Sequence, residues 1–83
     1  MTNASLYELL AEEATELAHA ALKKARILRG ENPTPMFEHE ADEYLLEEYS
    51  DVVLCARIID LYPDEGKIKL KQLRWSRRLS ENG

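Results

Sequence analysis

Six carboxylates stand at helical spacing in two separate stretches of the sequence, EEATE and EEYSD: Glu12, Glu13, Glu16, Glu47, Glu48 and Asp51. Each stretch contains two acids three positions apart, and residues at that spacing are neighbours on a helix surface. Their chemistry depends on the direction they face. Exposed acids form a solvated surface, whereas carboxylates that meet away from water repel each other and need a compensating cation.

The first stretch lies in a segment whose apolar residues repeat with the period of a helix. At about 100° per residue, these residues fall in an arc from about 180° to 280°. Glu13 lies inside this arc and Glu16 at its edge, whereas Glu12 lies outside it. We therefore expect Glu13 and Glu16 on or beside the buried face, and Glu12 towards water.

The second stretch repeats this arrangement. Glu48 lies in the middle of an apolar arc, Asp51 beside it, and Glu47 at the periphery. A single glutamate in an apolar stripe is usually a boundary residue that extends to water. Two pairs with matching placement instead predict a site for Mg²⁺, with Mn²⁺ as the alternative, which would also bind a phosphorylated ligand.

Two long helices must position these acids. The first is predicted to begin near Ser5, where Ser5 and Glu8 match a capping box, and to end at Leu28 before Gly30.

The second long helix is predicted to start with Thr34 as its N-cap and Pro35 as its first residue. It should continue to about Leu61, because Pro63 follows.

The last segment is predicted to be a shorter helix over residues 64–80. KIKLKQL alternates like a strand, but QLRWSRRL has a helical pattern and no partner strand is visible. The expected fold class is therefore all-α, a single domain over residues 1–83 built as a helical bundle of two long helices and a shorter C-terminal one. Because 83 residues form only a marginal core, we expect homo-oligomerisation to complete the bundle.

Composition excludes several classes of protein. A net charge of -5 argues against binding to a nucleic-acid polymer. No apolar run is long enough for a membrane span, and the N-terminus lacks a signal-peptide pattern. One cysteine, Cys55, excludes an intramolecular disulfide and fits a reducing compartment, so the predicted location is cytoplasmic.

EEATELAHA followed by EEYSDVVL resembles the two-part signature of the MazG-like, all-α nucleoside triphosphate pyrophosphohydrolases, EExxE and then ExxD. The resemblance covers about residues 5–62. It implies a homodimer or a dimer of dimers that hydrolyses a nucleoside triphosphate between the α and β phosphates, releasing the monophosphate and pyrophosphate. EEATE followed by alanines is also similar to the phosphoribosyl-ATP pyrophosphohydrolases of histidine synthesis.

The resemblance implies a role for each acid. The predicted Mg²⁺ ligands are Glu13, Glu16, Glu48 and Asp51, and the bound ion would neutralise phosphate oxygens and activate a water. Glu12 or Glu47 would orient that water as the catalytic base.

Basic residues offer a predicted phosphate-binding set: Lys24, Lys71, Arg74 and Arg78. Lys24 projects along the apolar arc of the first helix, and the other three share one face of the last helix. The alternative for this basic face is a solvated surface that pairs with the acids of the second helix.

The sequence departs from the family in two respects. The gap between Glu16 and Glu48 is long, and the chain begins almost at the first motif. We therefore expect the helix that helps to bind the base in longer members to be missing, and a second subunit to complete the site. A non-catalytic helical interaction module is the competing hypothesis. The base, the sugar, the oligomer size and the biological role are left open.

Overall fold

A computed structural model of the chain describes residues 2–31 and 36–82. They form three α-helices, namely α1 (Asn3–Leu28), α2 (Glu38–Ile58) and α3 (Glu65–Asn82). The described residues contain no strand, which confirms the all-α prediction. The alternating KIKLKQL segment is part of α3.

The start of α1 differs from the prediction. Thr2 is the N-cap, and its Oγ1 accepts the Ser5 N–H at 3.0 Å. Ser5 therefore lies inside the first turn as a donor, and the predicted capping box of Ser5 and Glu8 is wrong. The prediction failed because Thr2 and Ser5 can each cap a helix, and the earlier of the two satisfies the free N–H groups three residues sooner.

The start of α2 also differs from the prediction. Phe37 has an extended backbone and is the N-cap, so the helix begins at Glu38 rather than at Pro35. Thr34 and Pro35 lie outside the described residues. The Phe37 side chain has no acceptor, but the Glu40 carboxylate accepts the Phe37 N–H at 3.1 Å and so supplies half of a capping box.

Both long helices end in the same hydrogen-bonded turn. After α1, Gly30 has a φ of 71° and the Glu31 N–H donates to the Arg26 carbonyl, so the predicted stop is confirmed. After α2, Asp60 has a φ of 56° and the Leu61 N–H donates to the Ala56 carbonyl. The predicted end at Leu61 is therefore wrong by one turn, because an aspartate adopts the left-handed conformation that ends the helix before Pro63.

The helices α1 and α2 pack as an antiparallel pair, in which Lys24 meets Asp42 at one end and Glu13 meets Glu48 further along. Alanines let the two helices approach closely, since Ala20 and Ala41 are fully buried. Among the described residues, Cys55 is the one other buried side chain.

The third helix makes no close approach to α1 or α2 within the described residues. All of its described side chains are exposed, including Trp75 and Leu79. The chain is consequently extended, with a radius of gyration of 15.9 Å. A compact domain of 83 residues would have a radius of about 12 Å.

No helix among the described residues is long and apolar enough to cross a membrane.

Candidate metal centre

Three carboxylates from the two packed helices converge. Glu13 comes from α1, whereas Glu48 and Asp51 lie one turn apart on α2. One oxygen of each carboxylate lies within 4.8 Å of the other two. The antiparallel packing places the middle of α1 opposite the middle of α2. Three of the four predicted metal ligands are therefore brought together.

The pKa of Glu48 is raised above its usual value. Partial burial is the largest cause, followed by the charges of Asp51, Glu16, Glu13 and Glu47. In the described part of the chain, no Lys or Arg forms an ion pair with Glu13, Glu48 or Asp51. A divalent cation would offset this repulsion, since it favours the ionised form of every carboxylate that it contacts.

The fourth predicted ligand, Glu16, is exposed and lies outside the group of three converging carboxylates. Its charge nevertheless helps to raise the pKa values of Glu48 and Tyr44. Glu16 is thus a neighbour of the cluster rather than a member of it.

The two predicted catalytic bases face water. Glu12 and Glu47 are both exposed, which agrees with their positions outside the apolar arcs. Glu47 acts on the cluster through its charge, because it is one cause of the raised pKa of Glu48. Their catalytic role stays a prediction.

Lys24 forms ion pairs that were not predicted from the sequence. Its Nζ contacts the carboxylates of Glu38, at 2.9 Å, and Asp42. The hydrogen bonds that Lys24 donates to Asp42 and then to Glu38 are the largest causes that raise its pKa. Lys24 also lies 11 residues beyond Glu13, or about 16 Å along the helix. Lys24 therefore forms ion pairs at one end of the α1–α2 pair and does not lie beside the three converging carboxylates. The acidic residues in the first turn of α2 were the sequence feature that could have predicted this pairing.

The other predicted phosphate-binding residues, Lys71, Arg74 and Arg78, are exposed on α3. Because α3 makes no close approach to α1 or α2 in the described residues, this chain alone does not bring them to the cluster.

Two more side chains border the carboxylates. Tyr44 stands one turn before Glu48, and burial followed by the charges of Glu48 and Glu16 raises its pKa. Cys55 stands one turn after Asp51, and burial followed by the charges of Glu13 and Asp51 raises its pKa. Both groups therefore remain protonated near neutral pH. Their positions beside the acids could have been predicted from the sequence, because each lies four residues from Glu48 or Asp51 on the same helix.

Comparisons of the chain with models of protein families, with curated proteins and with solved structures give no match. Three carboxylates from two helices offer oxygen ligands only, the donor set that hard divalent cations prefer. This donor set does not distinguish Mg²⁺ from Mn²⁺.

Proposed function

We propose that the chain is a divalent-metal-dependent nucleotide pyrophosphohydrolase of the MazG-like type. It would hydrolyse a nucleoside triphosphate between the α and β phosphates. The observation that supports this proposal is the convergence of Glu13, Glu48 and Asp51, which belong to the two halves of the EExxE and ExxD signature.

In this proposal, Glu13, Glu48 and Asp51 hold Mg²⁺ or Mn²⁺, and Glu16 reaches the hydrated edge of the site. A bound ion would neutralise phosphate oxygens and lower the pKa of a coordinated water. Glu48 must lose its proton before it can act as a ligand, because only the carboxylate form binds a metal. The protonated Tyr44 hydroxyl beside it is available to donate a hydrogen bond to a phosphate oxygen.

We also propose that the enzyme is a homo-oligomer. The chain exposes 6946 Å² of surface. A compact monomer of 9.6 kDa would expose only about 5,100 Å². The excess of roughly 1,800 Å² is more than the ~800 Å² that each partner commonly buries in a stable interface. Self-association would cover this excess.

The catalytic proposal is tested by measuring pyrophosphate release. Purified protein with Mg²⁺ should release pyrophosphate from at least one member of a panel of nucleoside triphosphates that also includes phosphoribosyl-ATP. Glu48→Gln should reduce the rate to background while circular dichroism shows unchanged helix content. Absence of pyrophosphate release from the whole panel, with Mg²⁺ and with Mn²⁺, would contradict the proposal.

The second candidate function is a non-catalytic helical interaction module. It is favoured by the exposed basic residues of α3, which lie away from the cluster in this chain. Calorimetric titration separates the two functions. An enzyme should bind a non-hydrolysable nucleotide more tightly when Mg²⁺ is present, whereas an interaction module should bind metal, if at all, without any coupling to nucleotide.

A further inference from the structure

We propose that α3 is exchanged between two copies of the chain, so that α3 of each copy packs along the exposed apolar surface of α2 of the other. This inference rests on the proposed self-association and does not depend on the proposed hydrolysis.

The first observation is an uncovered apolar strip on α3. Ile68, Trp75 and Leu79 recur on one face and line a groove of about 410 Å³. Each of them is more than 40% exposed. An isolated helix of 18 residues is only marginally stable in water, and most helices are stabilised by packing of their apolar face. The strip therefore needs a cover that this chain's own α1 and α2 do not supply in the described residues.

The second observation is an uncovered apolar surface on α2. Leu46 and Tyr49 are 60% and 54% exposed. Together with Leu17 and Leu45 they line a groove of about 520 Å³. A second groove continues this surface along α2 past Val53. The surface is thus long enough to receive several turns of a helix.

The third observation is the opposite net charge of the two segments that carry these surfaces. Residues 1–61 contain five basic and 13 acidic side chains, whereas residues 62–83 contain six basic and three acidic ones. The helix pair is therefore strongly acidic and the α3 segment is basic. Two copies of the pair alone would repel each other, but a basic helix between them favours association.

The linker explains why α3 would pack on another copy. Asp60 fixes the end of α2 through the left-handed turn, and the Asp64 carboxylate accepts the Lys67 N–H at 3.0 Å to cap α3. Hydrogen bonds therefore fix the backbone conformation at both ends of the segment 59–64. In this conformation, α3 makes no close approach to its own α2 in the described residues.

The first test measures association of the full-length chain by sedimentation and light scattering. The wild type should be at least dimeric at micromolar concentration. Trp75→Glu should raise the dimer Kd by at least about 30-fold, the loss expected for a buried aromatic anchor. Leu73→Gln is the matched control on another face of α3, where Leu73 is 72% exposed, and it should leave the Kd within about twofold. A monomeric wild type would overturn both this inference and the proposed homo-oligomer.

The second test distinguishes exchange from packing within one chain, and it does not depend on the folding of Trp75→Glu. In a Cys55→Ala background, one copy carries Ser50→Cys beside the α2 surface and another carries Ser76→Cys beside the α3 strip. After co-refolding, a flexible bismaleimide should link the two unlike copies. A chain that carries both Ser50→Cys and Ser76→Cys is the comparison. If the wild type forms dimers but the two unlike copies are not linked, or a link forms only within the chain that carries both cysteines, α3 is not exchanged.

Discussion

At the scale of single residues, Glu48 is the most informative position. Burial and the charges of Asp51, Glu16, Glu13 and Glu47 all disfavour its ionised form. We expect Glu48→Gln to raise the unfolding temperature of the metal-free protein at pH 7, because it removes repulsion. The same change should weaken Mn²⁺ binding by more than about 100-fold, since loss of an outer-shell partner alone commonly costs 10–100-fold. Thermal unfolding with and without Mn²⁺ measures both effects.

A control on the outward side of the same helix sharpens this test. Glu47→Gln should change metal affinity by less than about tenfold, because Glu47 is exposed and lies outside the converging carboxylates. Equal losses of metal affinity in Glu47→Gln and Glu48→Gln would contradict the assignment of Glu48 as a direct ligand.

The raised pKa of Glu48 also predicts a pH dependence. The folded protein holds this proton more tightly than the unfolded chain. The stability of the metal-free protein should therefore fall as pH rises from the usual glutamate pKa through the raised value of Glu48. Metal binding should show the opposite trend and strengthen as pH rises, because the metal displaces the proton. Denaturant unfolding and Mn²⁺ titration between pH 4 and pH 8 measure the two trends, and the slopes should be smaller in Glu48→Gln.

At the scale of helices, the two left-handed turns predict opposite effects of substitution. Asp60 carries a side chain at a φ of 56°, and Asp60→Gly should stabilise the fold by about 0.5–1 kcal/mol. Gly30→Ala should destabilise it by about 1 kcal/mol or more. Apart from its chain neighbours, no described residue has an atom within 4 Å of a Cβ added at Gly30, so the predicted cost comes from backbone conformation. Urea unfolding of both variants checks the signs, and a stabilised Gly30→Ala would contradict this account of the helix ends.

The ion pairs of Lys24 tie the end of α1 to the start of α2. We expect Lys24→Met to lower the unfolding temperature, because Glu38 and Asp42 lose their shared cation, and to leave Mn²⁺ affinity unchanged. Since these hydrogen bonds raise the pKa of Lys24, the stabilisation is fully present below the usual lysine pKa and is lost at higher pH. Lys23→Met is the control, as Lys23 makes no ion pair in the described part of the chain.

The same variant also tests the predicted role of Lys24 in phosphate binding. If Lys24→Met raises the KM for a nucleotide at least about tenfold while its unfolding temperature stays that of the wild type, the phosphate role is supported and the structural one is not.

At the scale of the whole molecule, the lack of a large core predicts that stability depends on concentration. Three small side chains are buried among the described residues, far too few to hold a domain of this length. The unfolding temperature should rise when protein concentration is raised from about 2 to 200 µM, because association stabilises only the folded form. Calorimetry at the two concentrations measures this. An unchanged unfolding temperature would indicate that the single chain is stable by itself.

Much of the fold was predictable from local pattern. The apolar period of 3.6 identified α1 and α2, and the helical pattern after residue 70 outweighed the alternation of KIKLKQL. Helix ends were predicted less well. Ser5 and Thr2 compete as caps, and Asp60 ends α2 by adopting a backbone conformation that only a minority of aspartates adopt.

Helix periodicity was sufficient to predict which acids face the helix interface, because a fixed rotation per residue separates Glu13 and Glu48 from Glu12 and Glu47. Which of those acids meet depends on how the two helices pack. The packing of the antiparallel pair, in which Ala20 and Ala41 are fully buried, joins Glu13 to Glu48 and Asp51 and leaves Glu16 beside them. The tertiary structure also decided that Lys24 is paired at the far end and that α3 stands apart. Pairing across helices depends on their relative translation, and no periodicity within one helix contains that quantity.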